Sequence, residues 1–174
     1  MFDVVVAADL DWGIGKASGL PWPKLRGDLA HFRRVTTSTV KEGARNAIVM
    51  GRKTWESKEV GGKPLPKRLN VVVSRNALTV PEGVVAARSL DEALAVRDVE
   101  TIFVVGGAGL FQEALVDARL RYVYLTRVEG RFDCDVKMPD LDARGYVRDA
   151  TWDGEAIGED NGVRYRIERL CRPN

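Results

Sequence analysis

Histidine and cysteine, which build most metal and nucleophilic sites, are scarce in this sequence. His31 is the single histidine, and we expect it at the surface or boundary of a helix. The two cysteines, Cys134 and Cys171, lie far apart without a CxxC spacing. A zinc enzyme or a Ser-His-Asp hydrolase would have to be assembled around one histidine, with no supporting motif. Two distant thiols also provide no disulfide framework, so we expect a protein without a metal from a reducing compartment.

Long apolar runs and a strong charge imbalance are also missing. No stretch approaches the length needed to cross a bilayer, and the N-terminus lacks the basic region and cleavage pattern of a signal peptide. Lys and Arg number 27 against 25 Asp and Glu, a formal net charge of +2, which is too small to indicate nucleic-acid binding. The expected location is therefore cytoplasmic, with neither a membrane nor a nucleic-acid partner.

Short β-rich runs alternate with helical patterns over most of the chain. Continuous apolar runs at 4–8, 47–50, 71–73 and 101–105 predict strands that are covered on both faces. Helices are predicted around Leu25, Leu29 and Phe32, from a capping box at 89–92 through 96, and over 110–115. Segments 122–128, 145–152 and 163–170 are predicted strands with no helices between them.

This order of elements predicts an α/β fold in a single domain covering residues 1–174. We expect a mixed central sheet flanked by helices, mostly parallel but with antiparallel C-terminal strands. A chain of 174 residues with 45% hydrophobic and 30% charged residues is long enough for one domain with a sizeable core.

Two features follow the first predicted strand. The segment 11–22 contains three glycines, a proline and two tryptophans, and is either a binding loop or a solvated loop with an aromatic anchor. Asp28 shares a helical face with Leu25, Leu29 and Phe32. A carboxylate on an apolar stripe needs a partner and would have a raised pKa in a pocket. The alternative is an Asp that is favoured by the helix dipole and partly wet.

Glycines and cations lie where later strands end. Gly106, Gly107, Ala108 and Gly109 follow a strand and open a helix, as in a phosphate site or a close packing turn. Basic elements also stand at 52–53, 74–75 and 88–89. Each arginine alone reads as a surface charge, but three at corresponding strand ends favour a phosphorylated cofactor.

Together these motifs resemble the dihydrofolate reductase family over nearly the whole chain. The matching segments are Gly13–Lys16 with Gly19–Pro23, Leu25–Asp28, Val49–Ser57, Pro64–Asn70 with Val73–Arg75, Val104–Gly107, and Leu125–Arg127. Each motif alone is moderately specific, whereas their order and spacing are highly specific.

The resemblance implies a role for particular residues. Asp28 would hydrogen-bond the pterin, Trp22 would help hold the water that delivers a proton, and Thr126 would support Asp28. Arg68 would bind the α-carboxylate of the folate tail. The implied substrate contacts are Val5, Val6, Leu20, Leu29, Phe32, Thr54, Arg68, Val105 and Thr126.

The resemblance also implies an NADPH site, with a cis peptide between Gly106 and Gly107. Its implied contacts are Ala7, Ile14, Gly15, Gly51, Arg52, Lys53, Thr54, Ser74, Arg75, Arg88, Gly106, Gly107, Ala108, Gly109, Leu110 and Phe111. Two positions depart from the family pattern: Phe111 stands where many members have Tyr, and Lys58 stands where an apolar residue often lines the tail groove.

The implied activity is NADPH-dependent reduction of 7,8-dihydrofolate to 5,6,7,8-tetrahydrofolate, which supports one-carbon metabolism and thymidylate synthesis. Hydride would go to pterin C6 and a proton to N5. The expected partners are dihydrofolate as substrate and antifolates as inhibitors, and the expected oligomeric state is a monomer. One alternative is a pyrimidine or pteridine reductase of the same fold, against which Asp28 argues. The other is a non-catalytic nucleotide-binding module, against which the set of Trp22, Asp28, Thr54 and Thr126 argues.

Overall fold

A computed structural model describes residues 1–173 and is organised around one large sheet. The strands in this part of the chain are β1 (Phe2–Ala8), β2 (Gly13–Gly15), β3 (Ala47–Gly51), β4 (Leu69–Val73), β5 (Val85–Ala87), β6 (Ile102–Gly106), β7 (Leu120–Val128), β8 (Val136–Lys137), β9 (Val147–Arg148), β10 (Ala156–Asp160) and β11 (Val163–Cys171). The spatial order in the large sheet is β10-β11-β7-β1-β6-β3-β4-β5, and β9 also pairs with β11. Strands β2 and β8 form a separate small sheet.

The large sheet is mixed, as predicted. All neighbours from β7 through β5 run parallel, whereas β11 is antiparallel to β7, β9 and β10. The four apolar runs of the sequence form the central strands β1, β3, β4 and β6. The predicted α/β class with antiparallel C-terminal strands is therefore confirmed.

Helices cover both faces of this sheet: α1 (Arg26–Thr37), α2 (Arg52–Trp55), α3 (Leu90–Leu94) and α4 (Ala108–Val116). The capping box of α3 is confirmed at its first bond, because Ser89 Oγ accepts from Glu92 N at 3.1 Å. The carboxylate of Glu92 accepts from Arg88 N at 2.9 Å instead of from Ser89. Helix α3 ends at Leu94, so the prediction that it continues to Val96 is wrong.

Alternating strand residues explain why the central strands read as continuous apolar runs. Val4 and Val6 pack in one core cluster with Leu110 and Leu115 of α4. Val5, between them, belongs to a second cluster on the opposite face, where Phe32 of α1 packs. Because both faces of the sheet are covered, successive side chains of β1 pack in apolar clusters on opposite faces, which gives the continuous apolar run.

Two local predictions are wrong. Residues 145–152 do not form one strand: only Val147 and Arg148 are extended, because Gly145 has a φ of +79° and Asp149 closes a turn with Thr151. His31 is not a surface or boundary residue of α1 but is 2% exposed. It packs edge-on against Trp152 at 6.2 Å between ring centroids.

The predicted stripe on α1 is right only in part. Leu25 is 2% exposed and Phe32 is partly buried, but Leu29 is 37% exposed, and the buried positions of the helix are His31 and Thr36. The side chain of Leu29 is therefore exposed instead of packed in the core. Strands β2, β5, β8 and β10 lacked a recognisable sequence pattern because they are short and largely exposed or only partly buried.

Within residues 1–173, no helix is both long and apolar enough to cross a membrane. Asn174, the last residue of the predicted domain, lies outside the described residues.

Candidate active site

The candidate site lies at the carboxyl ends of the parallel strands. The long loop after β1 and the first turn of α1 form one side, and the segments after β3, β4, β5 and β6 form the other. In open parallel sheets this edge is where ligands gather, because the loops and helix N-termini that follow the strands converge there.

Asp28 and Thr126 form the centre of this site. Asp28 lies in the first turn of α1, and Thr126 lies on β7 with 2% exposure. Thr126 Oγ1 donates to Asp28 Oδ1 at 2.6 Å, across 98 residues of sequence. Burial raises the pKa of Asp28, and the Thr126 hydrogen bond offsets this only in part. No cation in residues 1–173 forms an ion pair with this carboxylate.

Trp22 contributes a buried donor with no protein partner. Its side chain is 5% exposed and packs edge-on against Phe132 at 5.9 Å and 72°. Among the described residues, the indole Nε1 has no acceptor. A buried N–H of this kind normally bonds to protein or water, so its environment suits an ordered water.

Asp9 fastens the loop that carries Trp22, and the sequence reading missed it. Its Oδ1 accepts from Gly13 N at 2.8 Å, and its Oδ2 accepts from Phe132 N at 3.1 Å. Burial acts to raise the pKa of Asp9, but hydrogen bonds from Gly13, Phe132 and Asp11 hold it below its ordinary value. An Asp immediately after a buried strand and before a Gly-rich loop was the available signal.

The tip of the same loop is held from two further directions. Asp135 Oδ2 accepts from Ala17 N at 3.1 Å. From the other side of the cleft, Glu59 Oε1 accepts from Leu20 N at 2.8 Å. Lys58, which departs from the family pattern, donates its backbone N–H to Ser18 O at 3.4 Å. The loop is therefore a structured lid in contact with 58–59, and its role as a binding loop stays a prediction.

Arg68 is a buried guanidinium without a carboxylate partner in residues 1–173. It is 9% exposed, donates through Nε to Pro66 O at 2.9 Å, and donates through Nη1 to Thr36 Oγ1 at 3.0 Å. Burial lowers its pKa, and the nearby positive charge of Arg33 adds to this effect. An arginine fixed by two neutral acceptors retains donors for an anion.

The turn between β6 and α4 brings backbone close to Thr54. The Gly106–Gly107 peptide is cis, as the resemblance implied. A Cβ on Gly106 would lie 2.6 Å from Thr54 Oγ1, so a side chain there would collide. Helix α4 has no side-chain N-cap, which leaves first-turn N–H groups for an anion.

The three basic elements stand at the ends of adjacent parallel strands, as predicted. Arg52 follows β3, Ser74 and Arg75 follow β4, and Arg88 follows β5. Arg52 forms a salt bridge with Glu56 at 2.9 Å, whereas Arg75 and Arg88 have no ion pair within the described chain. Strand β5 supplies the third position, although the sequence did not reveal it as a strand.

The other predicted contacts divide between the cleft border and the core. Leu20 is 40% exposed and Leu29 is 37% exposed, on the lid and on α1 respectively. Phe111 is 2% exposed and packs within the core cluster of α4. In residues 1–173 no three His, Cys, Asp or Glu side chains are grouped to hold a metal ion.

The fold and site define a small α/β protein with a hydrogen-bonded loop after its first strand, a half-buried carboxylate and a separate cationic edge. A family model described as dihydrofolate reductase matches residues 1–172. The chain therefore belongs to the dihydrofolate reductase family.

Curated relatives agree over most of the chain. It is 36% identical to "Dihydrofolate reductase" of Rattus norvegicus over 174 residues, covering 94% of this chain and 93% of that relative. It is 35% identical to the protein of that name from Aedes albopictus over 175 residues, covering 95% and 94%. It is 38% identical over 181 residues to the "Bifunctional dihydrofolate reductase-thymidylate synthase" of Glycine max, covering 98% of this chain but 33% of that relative.

Proposed function

We propose that this chain is an oxidoreductase that reduces 7,8-dihydrofolate to 5,6,7,8-tetrahydrofolate with NADPH. The observation that carries the proposal is the half-buried Asp28 carboxylate, whose one hydrogen-bond partner within residues 1–173 is Thr126, at 2.6 Å. Such a carboxylate lacks a protein cation and suits a ligand that offers paired N–H donors. The 2-amino group and N3 of a pterin provide such a pair. We further propose residues 1–174 as one catalytic domain with a small-molecule substrate.

The turn at Gly106–Gly107 and the cationic edge fit a phosphorylated dinucleotide. Close backbone approach at Gly106, where a Cβ would meet Thr54 at 2.6 Å, leaves the first turn of α4 open to a pyrophosphate. Arg75 and Arg88, with Ser74, would hold the 2′-phosphate, and Arg52 and Lys53 lie beside them on α2. The bound cofactor supplies the hydride for pterin C6.

The protein's own contribution to chemistry is proton management and positioning. Asp28 anchors the pterin and favours its protonated form, because its negative charge balances positive charge on the ring. The unpartnered Nε1 of Trp22 holds the water through which N5 receives its proton. The lid, fixed by Asp9, Asp135 and Glu59, excludes bulk water and keeps the two rings face to face.

Arg68 would determine how the substrate's tail binds. Its guanidinium is held by Pro66 O and Thr36 Oγ1, so it is oriented before a ligand arrives. A carboxylate at this position gains a charge-assisted bond of about 1.5–3 kcal/mol. This favours folates with a glutamate tail over simple pteridines.

The test is oxidation of NADPH, followed by its absorbance, with and without dihydrofolate. We expect rapid, dihydrofolate-dependent loss of absorbance and much weaker activity with a pteridine that lacks the glutamate tail. A folded protein that binds NADPH but does not oxidise it with dihydrofolate would overturn the proposal. Equal rates with both substrates would instead indicate a general pteridine reductase.

A further inference from the structure

Helix α1, which carries Asp28, begins without a cap of its own. The residue at its N-cap position is Leu25, whose backbone is extended (φ −104°, ψ 95°) and whose side chain cannot accept a hydrogen bond. The first N–H groups of a helix have no partner within the helix, and a Ser, Thr, Asp or Asn at this position usually supplies one. The first turn of α1 therefore depends on acceptors from elsewhere.

The hairpin formed by β10 and β11 makes two hydrogen bonds to the start of α1, one as acceptor and one as donor. Asp160 Oδ2 accepts from Gly27 N at 3.0 Å across 133 residues. Asn161 Nδ2, in the tight turn of this hairpin, donates to Lys24 O at 2.6 Å. An acidic group at a helix N-terminus also interacts favourably with the helix dipole. The cap of α1 is thus built from a distant hairpin instead of from adjacent sequence.

Tyr165 on β11 holds this arrangement in place. Its hydroxyl donates to Asp160 Oδ2 at 3.1 Å. A Cβ on Gly27 would lie 1.9 Å from the same hydroxyl oxygen and 3.1 Å from Cζ of the ring. Position 27 must therefore lack a side chain while the tyrosine hydroxyl is present.

The hydrogen bond between Asp28 and Thr126 joins α1 to β7, and β7 pairs with β11, which carries Tyr165. Thr126 lies on β7 opposite Ile167 of β11, and Tyr165 of β11 lies opposite Val128. Burial, the hydrogen bond to Asp160 and the charge of Asp160 raise the pKa of Tyr165, and the charge of Asp28 adds to them. The hairpin therefore contacts the first turn of α1 beside the catalytic carboxylate.

We propose that Asp160 and Tyr165 are positioning residues for the reduction, which hold the first turn of α1 so that Asp28 meets both Thr126 and the substrate. This inference rests on the proposed function, because it assigns the two residues to the reaction that Asp28 serves. Neither residue is assigned a contact with the substrate. Their effect passes through Gly27, which is adjacent to Asp28 in the chain.

The first experiment compares Asp160→Ala with Glu159→Ala. Glu159 is the preceding, exposed carboxylate of the same hairpin and makes no side-chain hydrogen bond or ion pair within residues 1–173. We expect kcat/KM for dihydrofolate to fall about fivefold to tenfold in Asp160→Ala, the scale of a lost helix cap. Glu159→Ala should stay within about twofold of the parent. Equal losses in both variants, or no loss in Asp160→Ala, would overturn the proposal.

Amide hydrogen exchange gives a readout that does not depend on turnover. Asp160→Ala should accelerate exchange at Gly27 and Asp28, whereas Glu159→Ala should not. Unchanged exchange at these amides would refute the positioning role even if the variant were less active. If the parent protein has no dihydrofolate reductase activity while Asp160→Ala still accelerates this exchange, the proposed function fails and the hairpin cap itself stands.

A rescue experiment covers the case in which Asp160→Ala does not fold. Gly27→Ala should lose activity, because its methyl group would collide with the Tyr165 hydroxyl at 1.9 Å. Tyr165→Phe removes that oxygen and its hydrogen bond to Asp160 but leaves the ring at 3.1 Å. We expect about a threefold to fivefold loss from Tyr165→Phe alone, more than in the Glu159→Ala control. The double variant should recover to near the level of Tyr165→Phe. A double variant no better than Gly27→Ala would show that the Tyr165 contact does not set the position of α1.

Discussion

Replacing Asp28 with asparagine removes the charge of the cleft carboxylate while keeping its shape. In the parent, Thr126 Oγ1 donates to Asp28 Oδ1 at 2.6 Å, and the amide oxygen of asparagine can accept the same bond. The change therefore isolates the negative charge from the hydrogen-bond geometry. The neutral amide cannot balance positive charge on the pterin, so protonation at N5 should limit the rate.

We expect kcat/KM for Asp28→Asn to fall about 10²-fold or more at neutral pH, the usual scale for losing an acid–base group. Activity should recover as the pH falls, because solvent then protonates the substrate directly. NADPH affinity should be nearly unchanged. Measuring kcat/KM against pH, together with NADPH affinity, tests all three expectations.

The stability of the same variant should change in the opposite direction. Burial raises the pKa of Asp28 in the folded state above its ordinary value of 3.8, so the folded state holds the proton more tightly than the unfolded chain. Stability therefore falls as the pH rises from the ordinary value to the raised pKa, and it stays lowered at neutral pH. Asp28→Asn should therefore raise Tm at neutral pH. Asp153→Asn, at an exposed position, is the matched control for the charge change and should alter neither activity nor Tm. Near-native activity of Asp28→Asn at neutral pH would refute the mechanism.

Three further predictions concern the cofactor, the substrate tail and acid stability. NADPH should be preferred to NADH by at least about tenfold in kcat/KM, because a hydrogen bond to the charged 2′-phosphate contributes about 1.5–3 kcal/mol and about 1.4 kcal/mol is tenfold. Arg75→Ala should reduce that ratio, whereas Arg144→Ala, at an exposed position, should not. Equal use of both cofactors by the parent would contradict the assignment. Arg68→Leu should raise KM for dihydrofolate with little change in kcat, because the glutamate tail is remote from the reacting atoms. The kinetics with a pteridine that lacks this tail should not change. Equal losses of activity with both substrates would show that Arg68 has a structural role. Burial lowers the pKa of His31 to about 4, with Arg34 adding to it, so the unfolded chain takes up the proton first. Stability should therefore decline as pH falls from about 6.5 to about 4, and His31→Phe should flatten that part of a Tm–pH profile.

The central strands could be predicted from the sequence at their positions along the chain, but their spatial order in the sheet could not. Continuous apolar runs at β1, β3, β4 and β6 reflect burial on both faces, a demand that every residue of the strand must meet. Residues 145–152 were wrongly predicted as one strand, because a turn at Asp149 interrupts the segment. Strand β5 was missed because two of its three residues are exposed.

The candidate site could be predicted only where local sequence carries the signal. Asp28 stood out as a carboxylate among apolar helix positions, and the resemblance named Thr126 as its support; the 2.6 Å hydrogen bond confirms that contact. The roles assigned to Trp22, Arg68 and the cofactor-side residues stay predictions. His31 was misjudged because a lone polar residue on a helix gives no indication of which side faces the sheet.

By itself, the sequence determined the α/β order of elements, the central core strands and the family resemblance that points to Asp28, because burial periodicity and motif spacing are local properties of the chain. Only the tertiary structure decided that Asp9 and Glu59 fasten the lid and that Asp160 caps α1. Glu59 and Asp160 look like ordinary surface charges in the sequence, and Asp9 is distinguished only by its place between a buried strand and a Gly-rich loop. Their function arises from hydrogen bonds to backbone N–H groups that reach across as many as 133 residues, and which N–H groups need an acceptor is settled only when the elements pack together.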